Sequence, residues 1–205
     1  MTLFKSAVIL AGGKSTRMGF DKQMLESGGK RLVDHIITQL ESVFEDVMVA
    51  SSDPGLYDQD RVRIIQDVYK DKGPLGGIHS ALLQAQSEMV FVIACDMPFI
   101  DIPYINYMTL LLKEDYYHAC VTSGQGYLEP FHGFYSRSCL PLLEEELAQG
   151  RTSVNRFLRK AKTLIIPEKV ASSFLPDWLA FTNLNTPEDY KEYLRGVANG
   201  SDQRV

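Results

Sequence analysis

The chain has few cysteines, a single tryptophan and no long run of uncharged apolar residues. Its three cysteines, Cys95, Cys120 and Cys139, are odd in number and widely spaced, which fits neither a disulfide framework nor a zinc site. No apolar run is long enough to cross a bilayer, and no basic region followed by an apolar stretch and a cleavage site begins the sequence. We therefore expect a cytoplasmic protein that does not enter a membrane.

The chain also has fewer basic than acidic residues. Twenty-one lysines and arginines stand against 26 aspartates and glutamates, so the net charge of the 205 residues is −5. Such a chain is a poor general binder of nucleic acid or of anionic membrane surfaces. A polyanionic small ligand would therefore need a local basic site.

One segment, LAGGKSTRMGFDK at residues 10–22, supplies such a site. It follows an apolar run at residues 7–10 that predicts a buried strand, and it carries the cations Lys14, Arg17 and Lys22. Gly12 and Gly13 have no side chains, so a polyphosphate could approach their backbone N–H groups closely. This combination predicts a phosphate-binding loop.

The segment does not match the common phosphate motifs. GKST at residues 13–16 resembles the end of a P-loop, but that motif needs a glycine at position 8, where the chain has Val8. The glycines at positions 12, 13 and 19 also lack the G-x-G-x-x-G spacing of dinucleotide-binding proteins. The segment is therefore a third kind of phosphate loop, or an ordinary solvated turn after a strand.

Strand-like and helix-like segments alternate along the chain. The pattern predicts strands at residues 4–10, 47–50, 62–65, 89–95, 120–121, 127–135 and 162–167, and helices at 30–44, 78–86, 102–112, 137–148, 153–160 and 187–195. Alternation over the first 110 residues predicts a three-layer α/β fold with a doubly wound, mostly parallel, Rossmann-like sheet. An acidic run at residues 144–146 predicts a solvated helix face.

In such sheets ligands bind at the carboxyl ends of the strands. Ser51, Asp67 and Asp96 each follow a predicted strand, as the glycine loop does. A single strand-end carboxylate such as Asp96 suits Mg²⁺, although an Asx turn or a helix cap is the alternative. Asp67 could accept hydrogen bonds from a base or a ribose, or it could simply face water.

GPLGG at residues 73–77 has two interpretations. Its glycines could let the backbone lie flat against a nucleobase and bring helix N-terminal amides near a ligand. They could equally form an ordinary junction between a loop and a helix. His79 and His132 have no visible Ser or Cys partner, so the sequence assigns them no catalytic role.

Five segments together resemble the bacterial molybdenum cofactor guanylyltransferases, within the nucleotidyltransferase superfamily. They are LAGGKSTRMGFDK, GPLGG, CDMPF, EPFHGFY (129–135) and FTNLNTPEDY (181–190), in order over nearly the whole chain. The first is shared widely on this fold, whereas GPL-x-G and N-x-NTPED are typical of the molybdopterin branch. That family transfers GMP from Mg-GTP to the terminal phosphate of Mo-molybdopterin and releases pyrophosphate.

The resemblance implies roles for individual positions. Arg17, Lys22 and Asp96 would be catalytic, with Asp96 the metal ligand, and Asn183 and Asn185 would face the pterin substrate. The implied nucleotide-binding positions are Leu10, Ala11, Gly12, Gly13, Lys22, Ser51, Asp67, Gly76 and Asp96. At position 51 the family often has Asn, and its EPL segment is EPF here.

The resemblance further implies one nucleotidyltransferase domain over residues 1–195, with a nucleotide-binding half near 1–110 and an acceptor-binding half near 111–195. We expect residues 196–205 to form a flexible tail, as chain termini often do. GTP and Mo-molybdopterin would be substrates, and Mg²⁺ or Mn²⁺ the cofactor. Molybdopterin-donor proteins and acceptor molybdoenzymes would be partners. Two alternatives stay open: a cytidylyltransferase acting on molybdopterin or a sugar or polyol phosphate, and a non-catalytic nucleotide-binding regulator or adaptor.

Overall fold

A seven-stranded sheet forms the centre of the structure, a computed structural model that describes residues 2–12, 22–124, 126–175 and 177–198. The strands in these residues are β1 (Thr2–Leu10), β2 (Glu26–Ser27), β3 (Lys30–Arg31), β4 (Asp46–Ala50), β5 (Arg63–Ile65), β6 (Ser87–Ala94), β7 (Ala119–Gly124), β8 (Tyr127–Ser136) and β9 (Thr163–Ile166). The central order is β5-β4-β1-β6-β8-β7-β9, while β2 and β3 form a separate hairpin. Among the described strands of the central sheet, only β8 runs antiparallel to its neighbours. The predicted mostly parallel α/β sheet is confirmed.

Helices cover both faces of this sheet. They are α1 (Leu32–Glu41), α2 (Gly73–Gln84), α3 (Ile102–Leu111), α4 (Leu140–Ala148), α5 (Val154–Lys160), α6 (Glu168–Ala171) and α7 (Pro187–Ala198). Side chains of α1, α3 and α6 share one core, and those of α2, α4 and α5 share the other. Ala7 and Ile9 of β1 face the first core, whereas Val8 and Leu10 face the second. The central strands are apolar throughout because both of their faces are buried.

Helix α2 begins five residues before the predicted start, so GPLGG belongs to its first turns. Glycine is a poor helix former, which is why the pattern favoured a loop there. Close packing explains Gly76 and Gly77 instead. A Cβ on Gly77 would lie 2.9 Å from Leu10 Cδ2, and one on Gly76 would lie 2.9 Å from the carbonyl oxygen of Tyr69.

The observed boundaries of the other helices lie closer to the predicted ones. Residues 30–31 form the second strand of the short hairpin, so α1 starts at Leu32. Helix α7 extends three residues beyond the predicted end, and the rest of the proposed tail, residues 199–205, lies outside the described residues. No helix in the described segments is long and apolar enough to span a membrane.

The predicted solvated face at residues 144–146 is wrong for Glu146. Glu146 is only 1% exposed, and its carboxylate accepts hydrogen bonds from three cations, Arg151, Arg156 and Lys160. The hydrogen bond from Lys160, reinforced by Arg151, lowers the pKa of Glu146 to about 2. Three cations around one carboxylate allow it to stay charged in a buried position.

Candidate functional site

The carboxyl ends of β1, β4, β5 and β6 lie in one row. Backbone hydrogen bonds of 3.0 or 3.1 Å extend this row past the strands, from Ala11 N to Ala50 O, from Ser51 N to Ile65 O and from Cys95 N to Leu10 O. The loops that follow these strands are therefore fixed relative to one another. We call this edge, with the residues that contact it, the strand-end site.

Lys22 and Asp96 meet where β6 ends, at one side of the strand-end site. Lys22 Nζ lies 2.5 Å from Asp96 Oδ2 and donates a second hydrogen bond of 2.7 Å to Asn185 Oδ1. The side chains of Lys22 and Asp96 are 21% and 11% exposed, so water screens this pair only partly. One ammonium thus joins the predicted metal ligand to a residue predicted to face the acceptor.

Residues before α7 complete this side of the site. Leu184 N donates to the carbonyl oxygen of Asp96 at 2.9 Å, so the segment preceding α7 is attached directly to the end of β6. Asn183, the other predicted acceptor residue, donates its side-chain amide to Phe181 O at 3.2 Å. Its role stays a prediction.

Asp67 lies against the glycines of α2. Its two carboxylate oxygens lie 3.6 and 3.7 Å from where a Cβ on Gly76 or Gly77 would stand. Burial raises the pKa of the Asp67 carboxyl, and nearby His79 partly offsets this. Leu10 packs beside Gly77. The predicted nucleoside residues Leu10, Asp67 and Gly76 are therefore neighbours.

Ser51 is 3% exposed and bonded within the protein. Its hydroxyl donates to Gln23 Oε1 at 2.9 Å, and the same oxygen accepts from Tyr57 OH at 2.6 Å. Asp53 N donates back to Ser51 Oγ at 3.1 Å. Ser51 thus attaches the residue after Lys22 to the end of β4, an indirect role that the sequence pattern did not indicate.

The remaining predicted nucleotide positions fall around the end of β1. Ala11 is buried, and Gly12 is exposed directly after it. Among the described residues, a Cβ on Gly12 would meet only Ala50 O, at an ordinary 3.7 Å. Gly13 and Arg17 lie outside the described residues, and their predicted roles stay predictions.

Two further titratable groups lie in β8. Because β8 is reversed, its first residues lie at the same edge of the sheet as the ends of β6 and β7. Glu129 is half-buried there, and burial raises the pKa of its carboxyl. His132 is fully buried, and its Nε2 accepts a hydrogen bond from Asp101 N at 3.3 Å. His132 is therefore a core residue, whereas Glu129 borders the site.

The donor set at this edge fits magnesium. Across the described residues no group of three His, Cys, Asp or Glu side chains could hold a metal ion by itself. Mg²⁺ commonly uses one or two carboxylates and completes its shell with water and substrate phosphates. Asp96 offers one carboxylate at the end of β6, as this arrangement requires.

Comparisons with known proteins identify the family of this chain. The MobA-like NTP transferase domain family matches residues 7–164. A molybdenum cofactor guanylyltransferase from Syntrophotalea carbinolica is 45% identical over 192 residues, which cover 94% of this chain and 91% of that protein. A probable molybdenum cofactor guanylyltransferase from Peptoclostridium acidaminophilum is 41% identical, covering 93% and 89%.

A solved structure supports the fold independently. The molybdopterin-guanine dinucleotide biosynthesis protein A from Archaeoglobus fulgidus superposes with a TM-score of 0.83 at 23% identity, covering 95% of this chain and 99% of that one. On the sequence relatives and the family match, the chain is a nucleotidyltransferase that belongs to the MobA-like NTP transferase family and, within it, to the molybdenum cofactor guanylyltransferases.

Proposed function

We propose that this enzyme transfers GMP from Mg-GTP to the terminal phosphate of Mo-molybdopterin, forming molybdopterin guanine dinucleotide and releasing pyrophosphate. The observation that carries the proposal is the contact of Lys22 Nζ with both Asp96 and Asn185. It links the predicted nucleotide side of the site to the predicted acceptor side through a single cation. The names of the sequence relatives support guanine as the base and the molybdenum cofactor as the acceptor.

The chemistry is mainly a problem of charge. An oxygen of the acceptor phosphate forms a bond to the α-phosphorus of GTP, and the bond from that phosphorus to the bridging oxygen of pyrophosphate breaks. Because both reactants are anions, the enzyme must neutralise and align them, and no covalent enzyme intermediate is required. Lys22 would hold the α-phosphate and balance the charge of the departing pyrophosphate, with Arg17 assisting.

Asp96 would hold the magnesium ion. A bound Mg²⁺ supplies Lewis-acid stabilisation of the charge that develops on phosphate oxygens. Asp96 contributes a fixed carboxylate, and Lys22 lies close enough to it to contact the same phosphates. Loss of one such group costs about 3 kcal/mol of transition-state stabilisation, or roughly a hundredfold in rate.

The other site residues would bind and orient the substrates. Leu10, Asp67 and Gly76 would form the nucleoside side, with Asp67 accepting a hydrogen bond from base or ribose. Asn183 and Asn185 would contact the pterin acceptor. The acceptor and the product are cofactors that other proteins bind. We therefore expect a donor protein to deliver the acceptor and a molybdoenzyme to receive the product, both in the cytoplasm.

Incubation of the purified protein with Mg-GTP and Mo-molybdopterin tests this proposal. We expect a product with the mass of the guanine dinucleotide and one pyrophosphate per product. A parallel reaction with Mg-CTP separates the guanylyltransferase from a cytidylyltransferase of the same fold. A faster reaction with CTP would overturn the choice of base, and binding of GTP without any pyrophosphate release would favour a regulator.

A further inference from the structure

Asp189, in the first turn of α7, makes more hydrogen bonds than a helix cap needs. Its Oδ2 accepts from Thr186 N at 2.8 Å, and Thr186 Oγ1 accepts in return from Asp189 N at 3.1 Å. This reciprocal pair is a capping box, with Asp in the position usually held by Glu or Gln. Oδ2 also accepts from Asn185 N at 2.9 Å. That third bond restrains the residue before the cap.

The restrained residue is the one that contacts Lys22. Asn185 is exposed, and an exposed asparagine before a helix has several accessible rotamers and backbone conformations. Asp189 fixes its backbone N–H, and the Asn185 side-chain oxygen then accepts from Lys22 Nζ at 2.7 Å. A continuous chain of hydrogen bonds therefore runs from Asp189 through Asn185 and Lys22 to Asp96.

Helix α7 is attached to the Lys22 segment at a second point. Tyr190 OH accepts from Glu26 N at 3.1 Å and donates to the carbonyl oxygen of Glu26. Beneath these bonds lies a small apolar cluster of Leu25, Leu32, Phe99, Leu184 and Tyr193. The contact between Asn185 and Lys22 thus lies between two elements that are already packed together.

We infer that Asp189 is a positioning residue, which fixes Asn185 so that its amide oxygen holds the Lys22 ammonium at Asp96. The inference rests on the proposed function for its effect on catalysis. Preorganised charge stabilises a transition state because it needs no reorganisation during the reaction. The hydrogen bonds of Asp189 run to Asn185 and Thr186, so in this inference it acts on the catalytic cation through Asn185.

Three variants separate positioning from helix capping. Asp189→Ala removes both functions. Asp189→Glu keeps the usual capping-box residue but moves the carboxylate away from the Asn185 backbone. Glu188→Ala is the matched control, because it removes a carboxylate from an exposed neighbour in the same helical turn.

In the transfer assay we expect kcat to fall about tenfold in Asp189→Ala and to a smaller extent in Asp189→Glu, with little change in KM for GTP. Glu188→Ala should match the parent protein. If Asp189→Ala loses activity only in proportion to its lost folded fraction, measured by circular dichroism, Asp189 is merely a cap and the inference is wrong.

Chemical labelling of Lys22 tests the inference without any substrate. Trace acetylation of the nucleotide-free protein, read by mass spectrometry at Lys22, should be about fivefold faster in Asp189→Ala, because Asn185 is no longer fixed to accept a hydrogen bond from the amine. Glu188→Ala should leave the labelling rate unchanged. Equal rates in all variants would overturn the inference, whereas altered rates in a protein that transfers no GMP would leave it standing and refute only the proposed function.

Discussion

At the scale of single residues, burial determines which titratable groups respond to pH. His132 lies in the core, with its ring edge-on to Phe91 and 5.1 Å from it between centroids. Removal from water disfavours the charged imidazole and lowers its pKa to about 4. In the unfolded chain the same group titrates near 6.5. Between these values the unfolded state binds more protons, so acidification favours unfolding.

This difference predicts a specific pH dependence of stability. Neutral His132 contributes fully to the free energy of unfolding above pH 6.5, and this contribution is lost as the pH falls toward 4. The loss between pH 7 and pH 5 is about 2 kcal/mol. His132→Asn should therefore show a smaller loss of unfolding free energy over that range in urea titrations. Asn is suitable because the backbone at position 132 has a φ of +57°, which Asn tolerates. An unchanged pH dependence would contradict the buried neutral histidine.

At the scale of elements, buried charge connects α4 to α5. Glu146 belongs to α4, and its partners Arg156 and Lys160 belong to α5, with Arg151 between the helices. Removing the carboxylate would leave three cations near one another without their shared partner. The two helices should then separate more easily.

Glu146→Gln should lower the melting temperature, whereas Glu145→Gln should not. Glu145 is the matched control because it is exposed. Within the described residues it accepts hydrogen bonds from the side chain and the main chain of Gln149, the residue that caps the same helix. The pKa of Glu146 near 2 means that its stabilisation persists above about pH 4.5 and fades as the pH falls toward 2. Equal melting temperatures for both variants, measured at pH 7, would show that the cluster is dispensable.

Elements also show where sequence patterns suffice. Strands β1 and β6 were predictable because two buried faces demand a continuous apolar run. The predicted start of α2 was five residues too late. The tight packing of Gly76 and Gly77 is a tertiary constraint, which local helix propensity does not reveal. The β2–β3 hairpin was missed because two-residue strands carry no periodicity.

At the scale of the whole molecule, the parallel sheet explains why distant residues meet. Lys22, Asp96 and Asn185 are separated by 74 and 89 positions along the chain, yet one ammonium contacts both other side chains. The rule that ligands bind at strand ends points from the sequence alone to Asp96, together with Ser51 and Asp67. It could not identify Asp189 or Gln23, because their roles depend on hydrogen bonds between loops that have no repeating pattern.

The most direct test of the proposed reaction centre is the transfer rate of Asp96→Asn and Lys22→Ala under single-turnover conditions with Mg-GTP and Mo-molybdopterin. Each rate should fall about a hundredfold or more, while the melting temperature stays within about 2 °C of the parent value.

The matched control is Asp115→Asn, which breaks an exposed 3.1 Å ion pair with Lys162 next to β7, away from the strand-end site. It should transfer GMP at the parent rate. Near-parental transfer by folded Asp96→Asn would contradict the assignment of the reaction to the strand-end site.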